Sequence, residues 1–131
     1  MCKVFLDTNI VLDYVLSRDI YGASAEQIFD AITHKEAECY IAAHTVSNVF
    51  YIMRKDIDTN IRKLVLKNIT AICNIVPIDT NLIEKAASDD RFDDFEDALE
   101  MACAEECNAD LFITRDIDGF KDSKIKVAQH I

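Results

Sequence analysis

The sequence predicts an α/β domain of three layers (α/β/α), with a central parallel sheet of about five short strands. Three observations point there. Short β-branched or aromatic runs alternate with stretches of helical periodicity along the whole chain. The strand runs are apolar throughout, as expected when both faces of a sheet are covered. The length of 131 residues, half of them hydrophobic, suits one domain spanning residues 1–131. No internal repeat, low-complexity tract or linker breaks the pattern.

Lys3-Val4-Phe5-Leu6 reads as a buried strand, followed by a helix from about Ile10 that carries Val11, Leu12, Tyr14 and Val15. Ser24 with Gln27 three residues on fits a capping box and predicts the start of a second helix, with Ala25, Ile28, Phe29 and Ile32 on its apolar face. Glu38 to Ala42 is the second strand. A helix from about Thr45 sets Val46, Val49, Phe50 and Met53 at helical spacing, and another from about Asn60 to Ile72 turns Ile61, Leu64, Val65 and Ile69 inward. Asn74 to Ile78 is a third strand, whose Pro77 favours a sheet edge or a strand end. Helices follow near Thr80–Ala87 and Phe95–Glu106, the latter burying Phe95, Ala98, Leu99, Ala102 and Cys103. Leu111 to Thr114 is a fourth strand and Lys124 to Ala128 a fifth.

Composition narrows the function classes. The longest run without a formal charge, Cys39 to Met53, is too short and too polar for a membrane span. Asp7 interrupts the first apolar stretch too early for a secretory signal, so cytoplasm is the expected location. The five cysteines have neither CxxC spacing nor a Cys/His ligand pattern, and read as small buried hydrophobes. Cys103 and Cys107 are expected one above the other on one helix face. The three histidines are far apart in sequence and read as structural or surface residues. A formal charge of −10 opposes bulk binding of nucleic acid. Handling a polyanion needs a local reversal of the field, through a divalent cation or a basic strip.

In a parallel α/β sheet the ligand crevice lies beyond the carboxyl ends of the strands. Asp7 directly follows the first strand, and Asp116 lies two residues past the fourth. Between them, Asp89 to Asp97 holds six acids and one base and leads into the helix that feeds the fourth strand. Acids at a helix start complement its dipole and cap its amides, which accounts in part for Asp93 or Asp94. That explains Asp97 poorly, because Asp97 precedes the packed Ala98 and Leu99. Asp94 and Asp97 are three apart, on neighbouring turns of one face. Carboxylates gathered on one rim repel one another, and a hard divalent ion, Mg²⁺ or Mn²⁺, relieves the conflict. The chemistry that fits is metal-assisted hydrolysis of a phosphodiester. The competing reading is a solvated acidic rim with no chemistry.

The ordered set of motifs resembles the PIN-domain nucleases over nearly the whole chain. Phe5-Leu6-Asp7-Thr8-Asn9-Ile10-Val11-Leu12-Asp13 is similar to their first motif, Asp94-Phe95-Glu96-Asp97-Ala98-Leu99 to their third, and Phe112-Ile113-Thr114-Arg115-Asp116, with Asp118-Gly119-Phe120, to their fourth. Ser47 to Lys55 resembles a bacterial subgroup. The resemblance implies a PIN-like fold and a VapC-like, Mg²⁺- or Mn²⁺-dependent endoribonuclease, often the toxin of a type II toxin–antitoxin pair. It makes Asp7, Asp97 and Asp116 the catalytic, metal-binding carboxylates, with Asp94 and Asp118 as outer or water-mediated contacts. Thr114 is a hydroxyl for a water at the metal, and Asn9 orients Asp7 or caps the following helix. The sequence departs from the pattern at Asn48, where many members carry Glu. An amide brings no charge, so weaker metal binding or a single metal site is expected, and Glu96 compensates only if it points to the rim. This keeps a second reading open, a catalytically weakened PIN-like module that binds RNA or protein.

Tyr51 to Thr70 holds five basic residues against two acidic ones. Arg54, Lys55, Arg62 and Lys63 form either a solvated pair of helix faces or an edge that positions RNA phosphates. Arg115, beside Asp116, faces a phosphate or forms an ion pair with the acidic rim. The resemblance also implies a homodimer and a cognate antitoxin as partners. An aspartate after the first strand occurs in haloacid-dehalogenase-like phosphotransferases too, but these usually place another Asp two residues on, where this chain has Asn9. Receiver-like phospho-acceptors usually need a late-strand Lys, which Arg115-Asp116 does not supply.

Overall fold

A computed structural model describes all 131 residues, Met1–Ile131. Five parallel strands form one sheet: β1 (Cys2–Leu6), β2 (Ala37–Ala42), β3 (Cys73–Val76), β4 (Leu111–Ile113) and β5 (Lys126–Ala128), in the order β3-β2-β1-β4-β5. Six helices connect them: α1 (Thr8–Leu16), α2 (Tyr21–Thr33), α3 (Ala43–Ile52), α4 (Thr59–Ile72), α5 (Thr80–Ala87) and α6 (Phe95–Glu106). Short 3₁₀ turns lie at Met53–Lys55 and Asp118–Phe120. No helix is long and apolar enough to cross a membrane.

The side chains of β1 alternate between two cores. Val4 and Leu6 join Ile10 and Val11 of α1, Ile28 and Phe29 of α2 and Ile69 of α4 on one face. Phe5 points the other way, stacks on Phe112 of β4, and meets Leu82 of α5 and Ala98, Ala102 and Cys103 of α6. The fully apolar strand runs follow from this two-sided burial.

Several expectations shift. α2 begins at Tyr21, so Ser24 lies inside its first turn and makes no capping bond. The tight junction after α1 decides this: Gly22 N donates to Arg18 O at 2.8 Å, and a Cβ on Gly22 would press on the backbone of Ser17. β3 stops at Val76, and Pro77 follows the end of a strand that is also at the sheet edge. Ile61 and Leu64 of α4 are about half exposed, and only Ile69 is fully covered. That helix lies beside α3 and the edge strand, so its apolar stripe is wider than the surface it packs on. Phe95 is likewise about half exposed at the start of α6. Cys107 follows α6 as its C-cap, half-buried, while Cys103 is fully buried within the helix. Cys39 and Cys73 are register partners on β2 and β3, buried as expected, whereas Cys2 at the start of β1 is exposed.

Candidate metal centre

The chain runs outward from β1 to β2 and β3 on one side, then returns to the other side of β1 for β4 and β5. The connections therefore diverge between β1 and β4, which opens a crevice past their carboxyl ends. Asp7 and Thr114 stand at those ends. Asp7 N donates to Ile113 O at 3.0 Å, which extends the β1–β4 ladder by one bond and fixes where the aspartate leaves the sheet. Its side chain sits at the N-cap of α1 without capping it. The Thr114 hydroxyl, wholly buried, donates to Asp7 Oδ2 at 2.7 Å and accepts from Asp116 N at 3.0 Å. One threonine thus orients two carboxylate-bearing segments.

Asp116 is shaped by its own loop. Gly119 N donates to Asp116 Oδ1 at 3.0 Å, and a Cβ at position 119 would overlap that carboxylate, so glycine there lets the carboxylate keep this position. Asp97 enters from α6. That helix is capped by Asp94, whose Oδ1 accepts from Asp97 N at 3.0 Å. The cap turns the first helical turn toward the crevice.

These groups line one cleft of about 420 Å³. Six carboxylates reach it, from Asp7, Asp94, Glu96, Asp97, Glu100 and Asp116, together with Asn9 and Asn48, and no Lys or Arg lines it. The electrostatic consequence is visible at Asp97. Burial, reinforced by Asp94, Asp7, Asp116 and Glu96, pushes its carboxyl up to about 6. The structure thus brings Asp7, Asp94, Asp97 and Asp116 together. Asp118 opens the 3₁₀ turn outside the cleft lining. Asn9 is the second residue of α1, and its Oδ1 faces Arg18 at 3.5 Å rather than capping the helix or holding Asp7.

Two buried acids were not anticipated. Glu100 is 1% exposed on α6. Its Oε1 accepts from the Thr8 amide at 2.9 Å and the Thr8 hydroxyl at 2.8 Å, and that hydroxyl also meets Thr45 Oγ1 at 2.8 Å. This network ties α6, α1 and α3 together beneath the cleft. Burial and the neighbouring Asp7 charge push the Glu100 carboxyl well above its ordinary range. The signal was available, since Glu100 lies among Ala98, Leu99, Met101 and Ala102, all of which pack inward. Asp13, also 1% exposed, pairs with Arg115 at 2.8 Å. Arg115 therefore turns from the cleft toward α1, with its guanidinium 3.9 Å from the ring centroid of Tyr21.

Of the basic candidates, Arg54 stacks on Tyr51 and donates to Tyr51 O at 2.9 Å. Arg62 stacks on Phe50 and donates to Phe50 O at 3.0 Å, joining α4 to α3. Lys55 and Lys63 are exposed. Arg54 and Lys55 directly continue α3, whose Asn48 and Ile52 wall the cleft.

The donor set is all hard oxygen, delivered from the end of β1, from α6 and from the loop after β4, with no internal cation to balance it. That chemistry fits a hard divalent ion. As the side chains stand, no three His, Cys, Asp or Glu groups close on a common ligating point.

A family model described as PIN domain matches residues 3–118. No curated protein matches the sequence significantly. Among solved structures, VapBC2 of Rickettsia felis, bound to a promoter DNA fragment, aligns at TM-score 0.72 and 15% identity, covering 96% of this chain and 97% of that one. VapC20 of Mycobacterium tuberculosis, described as a sarcin–ricin-loop-cleaving toxin, aligns at TM-score 0.73 and 15% identity, covering 93% and 95%. VapBC-1 of nontypeable Haemophilus influenzae aligns at 0.66 and 12% identity, covering 96% of each chain.

Proposed function

This chain belongs to the PIN-domain family, and from that premise we propose that it is an Mg²⁺- or Mn²⁺-dependent endoribonuclease, the toxin of a type II toxin–antitoxin pair. The observation that carries the proposal is the shared cleft at the divergence of β1 and β4, where Asp7, Asp97 and Asp116 arrive from three separate elements. A bound divalent ion supplies Lewis-acid polarisation of a phosphodiester and a more acidic water. The protein's part is to hold and orient. Asp7 keeps one oxygen on Thr114 and lies against the buried Glu100 carboxyl, and Asp116 keeps one oxygen on the Gly119 amide, so each carboxylate is oriented by its neighbours. Asp97, on the first turn of a capped helix, is the third ligand. Asp94 adds charge at the rim as it caps.

The partners are RNA as substrate, a cognate antitoxin and a second copy of the chain. The similarity to chains from VapBC complexes supports the antitoxin. Lys55 and Lys63, solvent-facing, are the better candidates for phosphate contact, since Arg54 and Arg62 are engaged within the fold. Asn48 favours the second reading, an RNA-holding module of low turnover, because it leaves α3 without a charge at the cleft.

Purified protein should cleave RNA from a panel of structured and single-stranded substrates in Mn²⁺, and not in EDTA. Asp97→Asn and Asp7→Asn should reduce cleavage to roughly 1% or less while the fold persists by circular dichroism. Equal cleavage by the Asp7→Asn/Asp97→Asn double variant would sink the nuclease proposal. Metal-dependent RNA retention without cleavage by the native chain would select the binding module.

A further inference from the structure

Resting on the metal-dependent reading above, we propose that Glu96 is an additional ligating residue of the cleft, sent across its mouth from α6 and held there by Asn48 of α3. A glutamate on the first turn of a helix has an ordinary role, as a negative charge facing the helix dipole. That role asks for no partner on another helix. Glu96 has one: its Oε1 accepts from Asn48 Nδ2 at 3.0 Å, a contact spanning 48 residues of sequence. His44, on the same helix as Asn48, brings its Nε2 to 3.8 Å from the same oxygen.

The chemistry of the holder matters. An Arg or Lys at position 48 would cancel the charge it orients. The Asn48 amide donates one hydrogen bond and leaves the carboxylate its full negative charge. Apart from Asn48, α3 gives the cleft only Ile52, so Glu96 carries an anionic oxygen to a wall that has none of its own. Two neighbouring acids are more heavily engaged. Asp94 caps the helix, and Glu100, one turn beyond Glu96, is tied to both Thr8 donors beneath the floor. Glu96 retains Oε2 and faces the same cleft as Asp7, Asp97 and Asp116.

The test uses the full chain and Mn²⁺ alone, read by titration calorimetry and by the rise in melting temperature on adding metal. Glu96→Gln should weaken Mn²⁺ binding by about tenfold and leave the melting temperature in EDTA unchanged, because Glu96 is exposed. The exchanged pair, Glu96→Gln with Asn48→Glu, keeps the hydrogen bond with donor and acceptor reversed and moves the one charge to α3. It should recover affinity to within roughly threefold of the native chain. If Glu96→Gln binds Mn²⁺ as the native chain does while Asp97→Asn loses it, Glu96 is no ligand and the wider reading stands. A loss that the exchanged pair fails to recover likewise overturns the Asn48-held ligand. If the native chain takes up no Mn²⁺, or Asp97→Asn binds it undiminished, the metal-dependent reading falls and takes this one with it.

Discussion

Asp97 is the residue whose chemistry most depends on its neighbours. Burial and four surrounding carboxylates lift it from an ordinary 3.8 to about 6. Between those values the folded chain binds more protons at this site than the unfolded chain does. Its contribution to stability therefore falls as pH rises through that window. Asn is neutral throughout and removes the effect. In EDTA, the melting temperature of Asp97→Asn should match that of the native chain near pH 4 and exceed it by a few degrees at pH 7; a constant difference across that range would contradict the assignment. At this scale the sequence was informative where position and type disagreed. Asp7 and Asp116 stood just past apolar strands, and Asp97 stood directly before the packed Ala98 and Leu99. Glu100 and Asp13 escaped because an acid within a helix reads as solvated. Their partners, Thr8 and Arg115, are distant in sequence, and the fold alone brings them together.

The start of α6 does two jobs at the scale of the element. Asp94 caps the helix through the Asp97 amide and also lines the cleft, and a change there mixes stability with charge. Two substitutions separate them. Asp94→Ser keeps a side-chain oxygen for the amide and removes the charge, whereas Asp94→Ala removes both. Urea unfolding in EDTA should place the alanine variant about 1 kcal/mol below the native chain and the serine variant close to it. Both should bind Mn²⁺ more weakly, by similar factors. The elements themselves were legible: all six helices and five strands fall in the order that the periodicities give. Their ends were less so. Ser24 has the chemistry of a cap, but Gly22 and the close passage by Ser17 begin α2 earlier. α4 carries an apolar stripe whose outer residues, Ile61 and Leu64, stay about half exposed.

Strand order was the part of the whole molecule that local patterns could not supply. Each helix can cross to either side of a sheet without changing its own periodicity. Only the order β3-β2-β1-β4-β5 makes Asp7 and Thr114 neighbours across a ladder and opens the crevice beside them. That placement sets a problem of charge for the whole protein. A chain of −10 that gathers six carboxylates into one cleft should repel a phosphodiester from the very place proposed for its cleavage. Monovalent salt screens such repulsion over distances near the Debye length but does not invert it at contact. A divalent ion seated among the carboxylates offsets part of their charge and gives a phosphate oxygen a direct cationic contact. RNA affinity should therefore depend on divalent ion beyond what ionic strength explains. With a cleavage-resistant RNA, fluorescence anisotropy at matched ionic strength should give at least about tenfold tighter binding in Mn²⁺ than in EDTA. Asp116→Asn, which removes one carboxylate after β4, should shrink that difference, while Lys63→Ala should weaken binding by a similar factor in both conditions. Equal affinity with and without Mn²⁺ would mean that RNA is held by the basic edge of α3 and α4 alone, with the acidic cleft taking no part in binding the phosphate.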